Sequence, residues 1–435
     1  MQLSHYIKVY PYKEKPGHLL LFSTKYSSKI LLKEETFRSI ENGPLSVSNE
    51  ALLSRLGMLV QDREEEKRAM FGLLDKLNQK NTALDIIVVL NLDCNLSCIY
   101  CYEGDMKGNL YMSERTVDRL IDFVKRNFTQ DKNALRMDFY GGEPLLSLGL
   151  IKHISRTLKS FAESRGADYS FTLVTNGTLF KRQVAEELAQ LGLRSVKITL
   201  DGPAEIHNNC RPFKSGAGSY ETIMRNIKET CDLVKIGIGG NFDKDNHDKF
   251  PMLLDDLMEA GLTPEKIAAV KFDPVMKQPV GDLAPTDYKG GCMSINEPWI
   301  SRVGTRLREE VLRRGYNTPG IKPMLCMAEA TDSYVVSYDG FIYKCPTFIG
   351  KKGYEVGDVE TGVSDFSAPY NVGIWKNEVC AECEYLPLCF GGCRYMTFVR
   401  DGNIESLDCQ KAYLDASLEA LVKQDIKYGL KAERS

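Results

Sequence analysis

The sequence predicts an α/β protein built on a partial (βα)6 TIM-like barrel, with a small α+β module before it and a cysteine-rich domain after it. Three observations carry that prediction. Between about residues 85 and 275, short apolar runs alternate with polar loops and amphipathic stretches, the grammar of βα units in a parallel sheet. Six such runs occur, too few for a complete eight-stranded barrel. The chain also has thirteen cysteines, most of them in patterned groups, which in a reducing compartment points to metal binding or catalysis rather than disulfides.

Residues 1–80 alternate extended runs (HYIKVYPY, HLLLFST, SKILL) with turns, then pass into ALLSRLGMLV and a charged helix, DREEEKRAMFGLLDKLN. They read as a small α+β module. Barrel strands are expected at 85–91, 135–141, 169–175, 195–201, 234–241 and 267–273. Helices are expected to start after Ser113, Ser219 and Asn246, the last stopping at Gly261. The stretch MKQPVGDLAPTDYKGG reads as a loop, and a helix around 297–314 leads to Cys326. The expected units are therefore 1–80, a barrel over 81–300, a bridge over 301–325, a cysteine-rich domain over 326–410 and a terminal helix over 411–435.

The balance of 56 basic and 59 acidic residues gives a net charge of -3, so no global field attracts nucleic acid or an anionic membrane. The N-terminal residues carry no export signature, and nowhere do eighteen apolar residues follow one another. A cytoplasmic protein with no nucleic-acid and no membrane partner is expected. Cys210, Cys231 and Cys292 stand alone and read as small buried hydrophobes.

In a barrel of parallel strands, reactive groups sit on the loops that follow the strands. The first strand is followed by Cys94-Asn-Leu-Ser-Cys98-Ile-Tyr-Cys101, the second by Gly141-Gly142-Glu143-Pro144, the third by Thr175-Asn176-Gly177, the fourth by Asp201-Gly202-Pro203 and the fifth by Asn241. Three thiolates on one loop can ligate three irons of a cubane, whereas an electron-transfer cluster is held by four. The iron left open can chelate the amino and carboxylate groups of a methionine.

The C-x3-C-x2-C spacing, with Tyr100 before its last cysteine and GGEP at barrel spacing, resembles the radical S-adenosylmethionine superfamily. That resemblance covers about residues 85 to 275. It implies a catalytic [4Fe-4S] cluster on Cys94, Cys98 and Cys101, and S-adenosylmethionine held at its amino group by Glu143 and the Gly141-Gly142 backbone. It further implies that Asn176, Asp201 and Arg211 line the carboxylate and ribose, with Tyr100 and Asn241 in the same cofactor-binding set.

A second block runs C-x13-G-x4-C (Cys326, Gly340, Cys345), C-x2-C-x5-C-x3-C (Cys380, Cys383, Cys389, Cys393) and Cys409. Read from spacing alone, it is also compatible with a zinc ribbon. It resembles the SPASM extension of radical enzymes that modify peptides and proteins, a holder of two auxiliary [4Fe-4S] clusters, for three in all. The resemblance implies an outer set of Cys380, Cys383, Cys389 and Cys409, and an inner set of Cys326, Cys345 and Cys393. The inner set is one cysteine short, because MAEATDS (327–333) contains none. Some thioether-forming maturases are similar in leaving this iron open for a substrate sulfur; Cys292 or a non-cysteine side chain is the other way to complete it. Sulfatase-maturing relatives place an Asp after the G-x4-C cysteine, where this chain has Pro346.

The expectation is a SPASM peptide maturase of the ranthipeptide or sactipeptide type, with SHYIKVYPY and LNLDCNLSCIYC resembling the geopeptide maturase group. The implied reaction removes a hydrogen with a 5′-deoxyadenosyl radical and forms a cysteine thioether in a ribosomally made precursor peptide. Residues 1–80 resemble the winged-helix-like recognition element with which such maturases begin, and would capture that peptide's leader by strand addition. A flavodoxin- or ferredoxin-like protein would donate electrons. Alternative products are a carbon–carbon crosslink, an epimerised residue or an oxidised one; a zinc-dependent scaffold is the alternative from another class.

Overall fold

The computed structural model describes residues 1–43, 45–276, 291–292 and 294–429. The expected loop over 277–290 lies outside the described residues. Six parallel strands form the barrel: β1 (Ala83–Val89), β2 (Ala134–Tyr140), β3 (Asp168–Thr175), β4 (Leu193–Thr199), β5 (Lys235–Phe242) and β6 (Ile267–Pro274). Each is short and rich in β-branched or aromatic residues, and successive side chains face the helices and the lumen in turn. In β2, for example, Leu135, Met137 and Phe139 are buried against the helices while Arg136, Asp138 and Tyr140 face the lumen. The first strand ends two residues before the expected limit, because Leu90 and Asn91 turn to pair with the segment that follows the cysteine loop (Met112 N to Leu90 O, 2.8 Å).

The sheet continues beyond the barrel through β7 (Ser333–Val336), β8 (Phe341–Tyr343), β9 (Gly357–Asp358) and β10 (Gly362–Val363), in the order β6-β5-β4-β3-β2-β1-β7-β8-β9-β10. The junction is parallel: β7 lies against β1 with Val335 opposite Ile87. The cysteine-rich region is thus stitched to the strand that carries the first cysteine loop. The following pairings are antiparallel hairpins.

Amphipathic helices shield the outer face. In α1 (Glu114–Asn127), Ser113 caps the start by accepting from the Thr116 amide at 3.1 Å, as its sequence predicts. The others are α2 (Leu148–Ser164), α3 (Arg182–Gln190), α4 (Ala204–Cys210), α5 (Tyr220–Thr230), α6 (Phe250–Glu259), α7 (Pro298–Arg313) and α8 (Lys411–Lys427). Helix α6 begins at Phe250 and not after Asn246. The Asn246 side-chain Oδ1 accepts from the Asp243 backbone N–H (2.8 Å), closing a local turn instead of capping a helix, and Pro251 favours a start just before it. Gly261 stops α6 at φ +74°. Helix α7 packs on β6 and α6, so most of the segment expected as a bridge belongs to the barrel's outer layer.

The N-terminal residues form an antiparallel sheet of Ile7–Pro11, His18–Ser23 and Lys29–Lys33, with a separate pair, Gln2–Leu3 and Leu59–Val60. The charged helix expected as one is two, Arg63–Phe71 and Leu73–Lys80, divided at Gly72. This module rests on the cysteine-rich region. Leu20 and Phe22 pack with Tyr385, Leu388 and residues of α8, and Tyr6, Met70 and Leu74 pack with Trp375, Leu386 and Phe390. Among the described residues, no helix is long and apolar enough to cross a membrane.

Candidate functional site

The loops after β1, β2, β3, β4 and β5 converge at one end of the barrel. The first two are in backbone contact: Gly142 N donates to Asn91 O (3.0 Å) and Glu143 N to Asp93 O (2.7 Å). A β-carbon on Gly141 would stand 2.3 Å from Asn91 O, and one on Gly142 would stand 2.0 Å from Asp93 O. Only glycines allow this approach, and Gly141 is also held at φ +129°. The paired glycines therefore bring the GGEP turn against the cysteine loop.

Glu143 is wholly buried and holds the next loop. Its carboxylate accepts from Thr175 Oγ1 (2.7 Å), Asn176 N (2.8 Å) and Leu145 N (3.0 Å). Burial raises its pKa against those three bonds, which favour the charged form. Asn176 Nδ2 donates to Asn95 Oδ1 (2.8 Å) and approaches Cys94 Sγ at 3.7 Å, so the third loop touches the first thiol.

On the other side, Tyr100, Asp201, Arg211 and Asn241 form one network. The Tyr100 hydroxyl donates to Asp201 and accepts from Arg211 Nη1 (2.8 Å) and Asn241 Nδ2 (3.1 Å), while Asn241 N donates to Asp201 Oδ1 (2.7 Å). Behind it stands His207, which sequence reasoning missed. Its Nδ1 accepts from Asp201 N (3.2 Å); its Nε2–H donates to Ser219 Oγ (3.0 Å), whose hydroxyl donates to Arg211 O (2.7 Å). Burial and the neighbouring Arg211 lower its pKa to about 3, so it is a neutral strut.

A cavity of about 380 Å³ opens at this mouth. Of the expected site residues, Cys94, Cys98, Tyr100, Cys101, Gly141, Gly142, Asn176, Arg211 and Asn241 line it. Glu143 and Asp201 do not: both are wholly buried behind the wall, where they hold its loops in place. Also on the wall are Tyr102, Glu103, Lys107, Tyr140 and Lys197 from the barrel, and Thr347 and Tyr395 from the cysteine-rich region. Lys107 interacts with all three loop thiols and bonds Cys101. Proximity to the third cysteine was the one signal for Glu103 and Lys107; nothing in the sequence marked Thr347 or Tyr395.

The remaining thiols separate into two sets. Cys345 lies within electrostatic reach of Cys326 and Cys393, and Cys393 of Cys326. Cys409 lies within reach of Cys380, Cys383 and Cys389. What brings each set together is proximity of its thiols within the fold. Thr347 and Tyr395, two residues from Cys345 and Cys393, line the cavity, while the inner thiols themselves stand outside its lining.

Cys292 belongs to neither set in the contacts seen: it is fully buried and donates to Met276 Sδ at 3.3 Å. Among the described residues, no three His, Cys, Asp or Glu side chains close tightly enough to hold a single metal ion. A cubane spaces its thiolates more widely, and the donor chemistry of all three sets suits one. Burial pushes the Cys94 thiol up to about 11 and Cys345 up to about 12, so ligation has to expel protons.

Comparison with known proteins agrees with this geometry. The family described as the Radical SAM superfamily matches residues 88–257. A cysteine-type anaerobic sulfatase-maturating enzyme of Clostridium novyi is 25% identical over 331 residues, 69% of this chain and 85% of that enzyme. Among solved structures, anSMEcpe with bound AdoMet and Kp18Cys peptide superposes with TM-score 0.63 at 18% identity, over 79% of this chain and 99% of that one. Streptococcus suis SuiB bound to precursor peptide SuiA gives TM-score 0.54 at 15% identity, over 94% and 98%. These structural likenesses are likenesses of fold.

Proposed function

We propose that the chain, whose residues 88–257 match the radical SAM superfamily, cleaves S-adenosylmethionine reductively at Cys94, Cys98 and Cys101 and uses the radical to modify a ribosomally made peptide, forming a cysteine thioether. The observation that carries this reading is the shared cavity: one wall bears the three loop thiols, and another bears the neighbours of the inner thiol set. A cluster on the loop thiols, with S-adenosylmethionine, supplies a 5′-deoxyadenosyl radical; the auxiliary clusters supply a sulfur-binding iron and an electron route.

The residues divide the remaining work. Cys94, Cys98 and Cys101 would hold the catalytic cluster. Gly141 and Gly142 offer backbone groups to the cofactor's amino end, fixed by Glu143 behind them. Arg211 and Asn176 face its carboxylate and ribose, with Arg211 oriented by Tyr100 and by the Asp201–His207–Ser219 chain.

The inner set supports the thioether over the other products. Three neighbours of the inner set are occupied elsewhere: Glu329 pairs with Arg394 and accepts from Gly373 N, Asp332 pairs with Lys132 (2.8 Å), and Cys292 bonds Met276. Asp408, whose Oδ2 accepts from Cys393 N (3.1 Å), keeps a buried Oδ1 without a hydrogen bond, 3.6 Å from Arg400, and is the side chain that competes with a substrate sulfur for this position. Cys326, Cys345 and Cys393 then leave a position for a substrate sulfur. Pro346 after Cys345 weighs against sulfatase maturation, in spite of the sulfatase-maturating relative.

The N-terminal sheet offers Lys29–Lys33 as a strand paired on one side only, a place for a leader peptide; the opposite edge is blunted by Pro11. SuiB, with its bound precursor peptide, is a precedent of the same fold. The physiological setting in this reading is the cytoplasm, with a flavodoxin- or ferredoxin-like donor.

The test is anaerobic reconstitution with iron, sulfide, reductant and S-adenosylmethionine, measuring 5′-deoxyadenosine. Wild type forms it and the Cys94→Ala, Cys98→Ala, Cys101→Ala triple variant does not; equal formation by both would overturn the reading. With the cognate peptide, the product is lighter by about two hydrogens and its cysteines no longer alkylate. Colourless protein carrying zinc would favour the scaffold alternative.

A further inference from the structure

Among the described residues, several cations on the barrel strands and their loops are matched by a partner. Arg136 faces Asp85 at 3.8 Å, Lys271 pairs with Asp273 at 2.7 Å, Arg211 is bound to Tyr100 at 2.8 Å with Asp201 at 3.8 Å, and Lys107 is occupied by the loop thiols. Lys197 on β4 is different. It lines the cavity, flanked along the strand by Val196 and Ile198, which are buried on the helix side. No carboxylate among the described residues comes within ion-pair distance of its ammonium. Asp138 is the carboxylate that influences it. Asp138 accepts from Thr172 Oγ1 at 2.8 Å, and burial raises its pKa to about 6.

The seat for Lys197 is built by the next strand. A β-carbon on Gly239 would stand 2.7 Å from Lys197 Cε, so the glycine leaves the groove in which the lysine stem lies. Lys197 also stands four residues before Asp201, roughly 13 Å of strand below the mouth network. Arg211 and Lys107 are the cations at the mouth, so Lys197, solvent-exposed on the cavity wall, is a further positive site toward the N-terminal ends of the strands.

The geometry points to Lys197 as the specificity residue for the peptide: it binds the carboxylate of an Asp or Glu side chain that enters the lumen with the reacting residue. This rests on the peptide-modifying function proposed above and adds the class of substrate residue. A cation in a half-enclosed cavity is most favourable when a carboxylate is delivered to it, because such charge-assisted bonds are the strong ones. A hydrocarbon or cationic side chain gains nothing there.

The experiment uses reconstituted protein with S-adenosylmethionine bound, under anaerobic conditions, and two capped peptides, acetyl-Gly-Cys-Gly-Glu-Gly-amide and its Gln counterpart. Dissociation constants come from titration calorimetry, with S-adenosylmethionine affinity measured beside them. Wild type should bind the Glu peptide about tenfold or more tightly than the Gln peptide, the range expected for one hydrogen bond to a charged group. Lys197→Met should bring the ratio close to one. Lys197→Glu should prefer a third peptide with Lys in place of Glu.

A wild-type ratio near one, or a ratio that survives Lys197→Met, overturns the proposal. So does a loss of S-adenosylmethionine affinity in Lys197→Met as large as the loss of peptide affinity, which would assign the lysine to the cofactor. Failure of wild type to bind S-adenosylmethionine at all would strike the parent reading instead.

Discussion

In the barrel, three thiols share one short loop, and the ends of the neighbouring strands close on it. In the C-terminal region, seven thiols are spread from Cys326 to Cys409, and short helices and turns gather them. The barrel site is placed by topology: parallel strands deliver their loops to one end, and contacts such as Gly142 N to Asn91 O need only glycine and backbone. The C-terminal sites depend on particular side chains that pin distant stretches together. Glu329, three residues after Cys326, is paired with Arg394, next to Cys393. The guanidinium reaches on to the carbonyls of Tyr370 and Gly392, at 3.4 and 3.3 Å. One buried ion pair thus ties together two members of the inner set.

That contrast breaks most easily at Arg394. Arg394→Ala leaves the Glu329 carboxylate buried without its partner, at a cost of about 3–5 kcal/mol, read as a lowered unfolding midpoint. Replacing both members with neutral residues of similar size, Arg394→Met with Glu329→Gln, should recover much of that. The pH dependence has a definite sign. Burial raises the Glu329 pKa even with Arg394 present, so the folded form holds its proton more tightly than the unfolded chain does. Its contribution is complete below the ordinary carboxylate value of 4.5 and is lost as pH rises through the folded pKa. Removing Arg394 raises that pKa further, so the deficit of Arg394→Ala should grow from pH 5 to pH 8. A deficit that does not change with pH would show that the loss is one of packing alone.

The barrel counterpart is His207, and here the sign is opposite. Its folded pKa of about 3 lies below the ordinary 6.5, so the neutral ring's contribution is present above pH 6.5 and is lost as pH falls toward 3. By pH 4 the loss is on the order of 3 kcal/mol. His207→Gln can keep both hydrogen bonds and cannot titrate, so its unfolding midpoint should fall less steeply between pH 6.5 and 4. Parallel slopes for the two proteins would remove His207 from the network that orients Arg211.

The same contrast governs what the sequence made legible. The six strands were readable because each is a bounded apolar run, and the meeting of the loop residues because parallel strands carry the loops that follow them to one end. The start of α6 was misread because an Asn can cap a helix or close a turn, and Asn246 does the latter with Asp243. The burial of Glu143 and Asp201 behind the wall was not readable, since a motif gives identity and order but not which atoms face the cavity. The partition of seven cysteines into two sets came through resemblance of spacing. Glu329 and Arg394, 65 residues apart, carried no local signal, nor did Gly239 as the seat of Lys197.

The smallest expected effect concerns the seam between the N-terminal module and the outer set. Thr24 Oγ1 donates to Glu384 O at 2.6 Å, and Lys8 pairs with the Glu384 carboxylate at 2.8 Å, both beside Cys383. Thr24 is buried, so Thr24→Val keeps the shape and leaves a carbonyl unmatched, at about 1–2 kcal/mol. Lys8 and Glu384 are 20% and 30% exposed at their side chains, so Lys8→Met should cost no more than about 1 kcal/mol, diminished by salt. Hydrogen exchange of the Ile7–Pro11 and His18–Ser23 amides reads both changes where they occur. If Thr24→Val speeds exchange there more than Lys8→Met does, the seam is held by its buried bond and not by its surface charge. If the order reverses, the module sits on the outer set less intimately than the packing of Phe22 against Tyr385 and Leu388 implies.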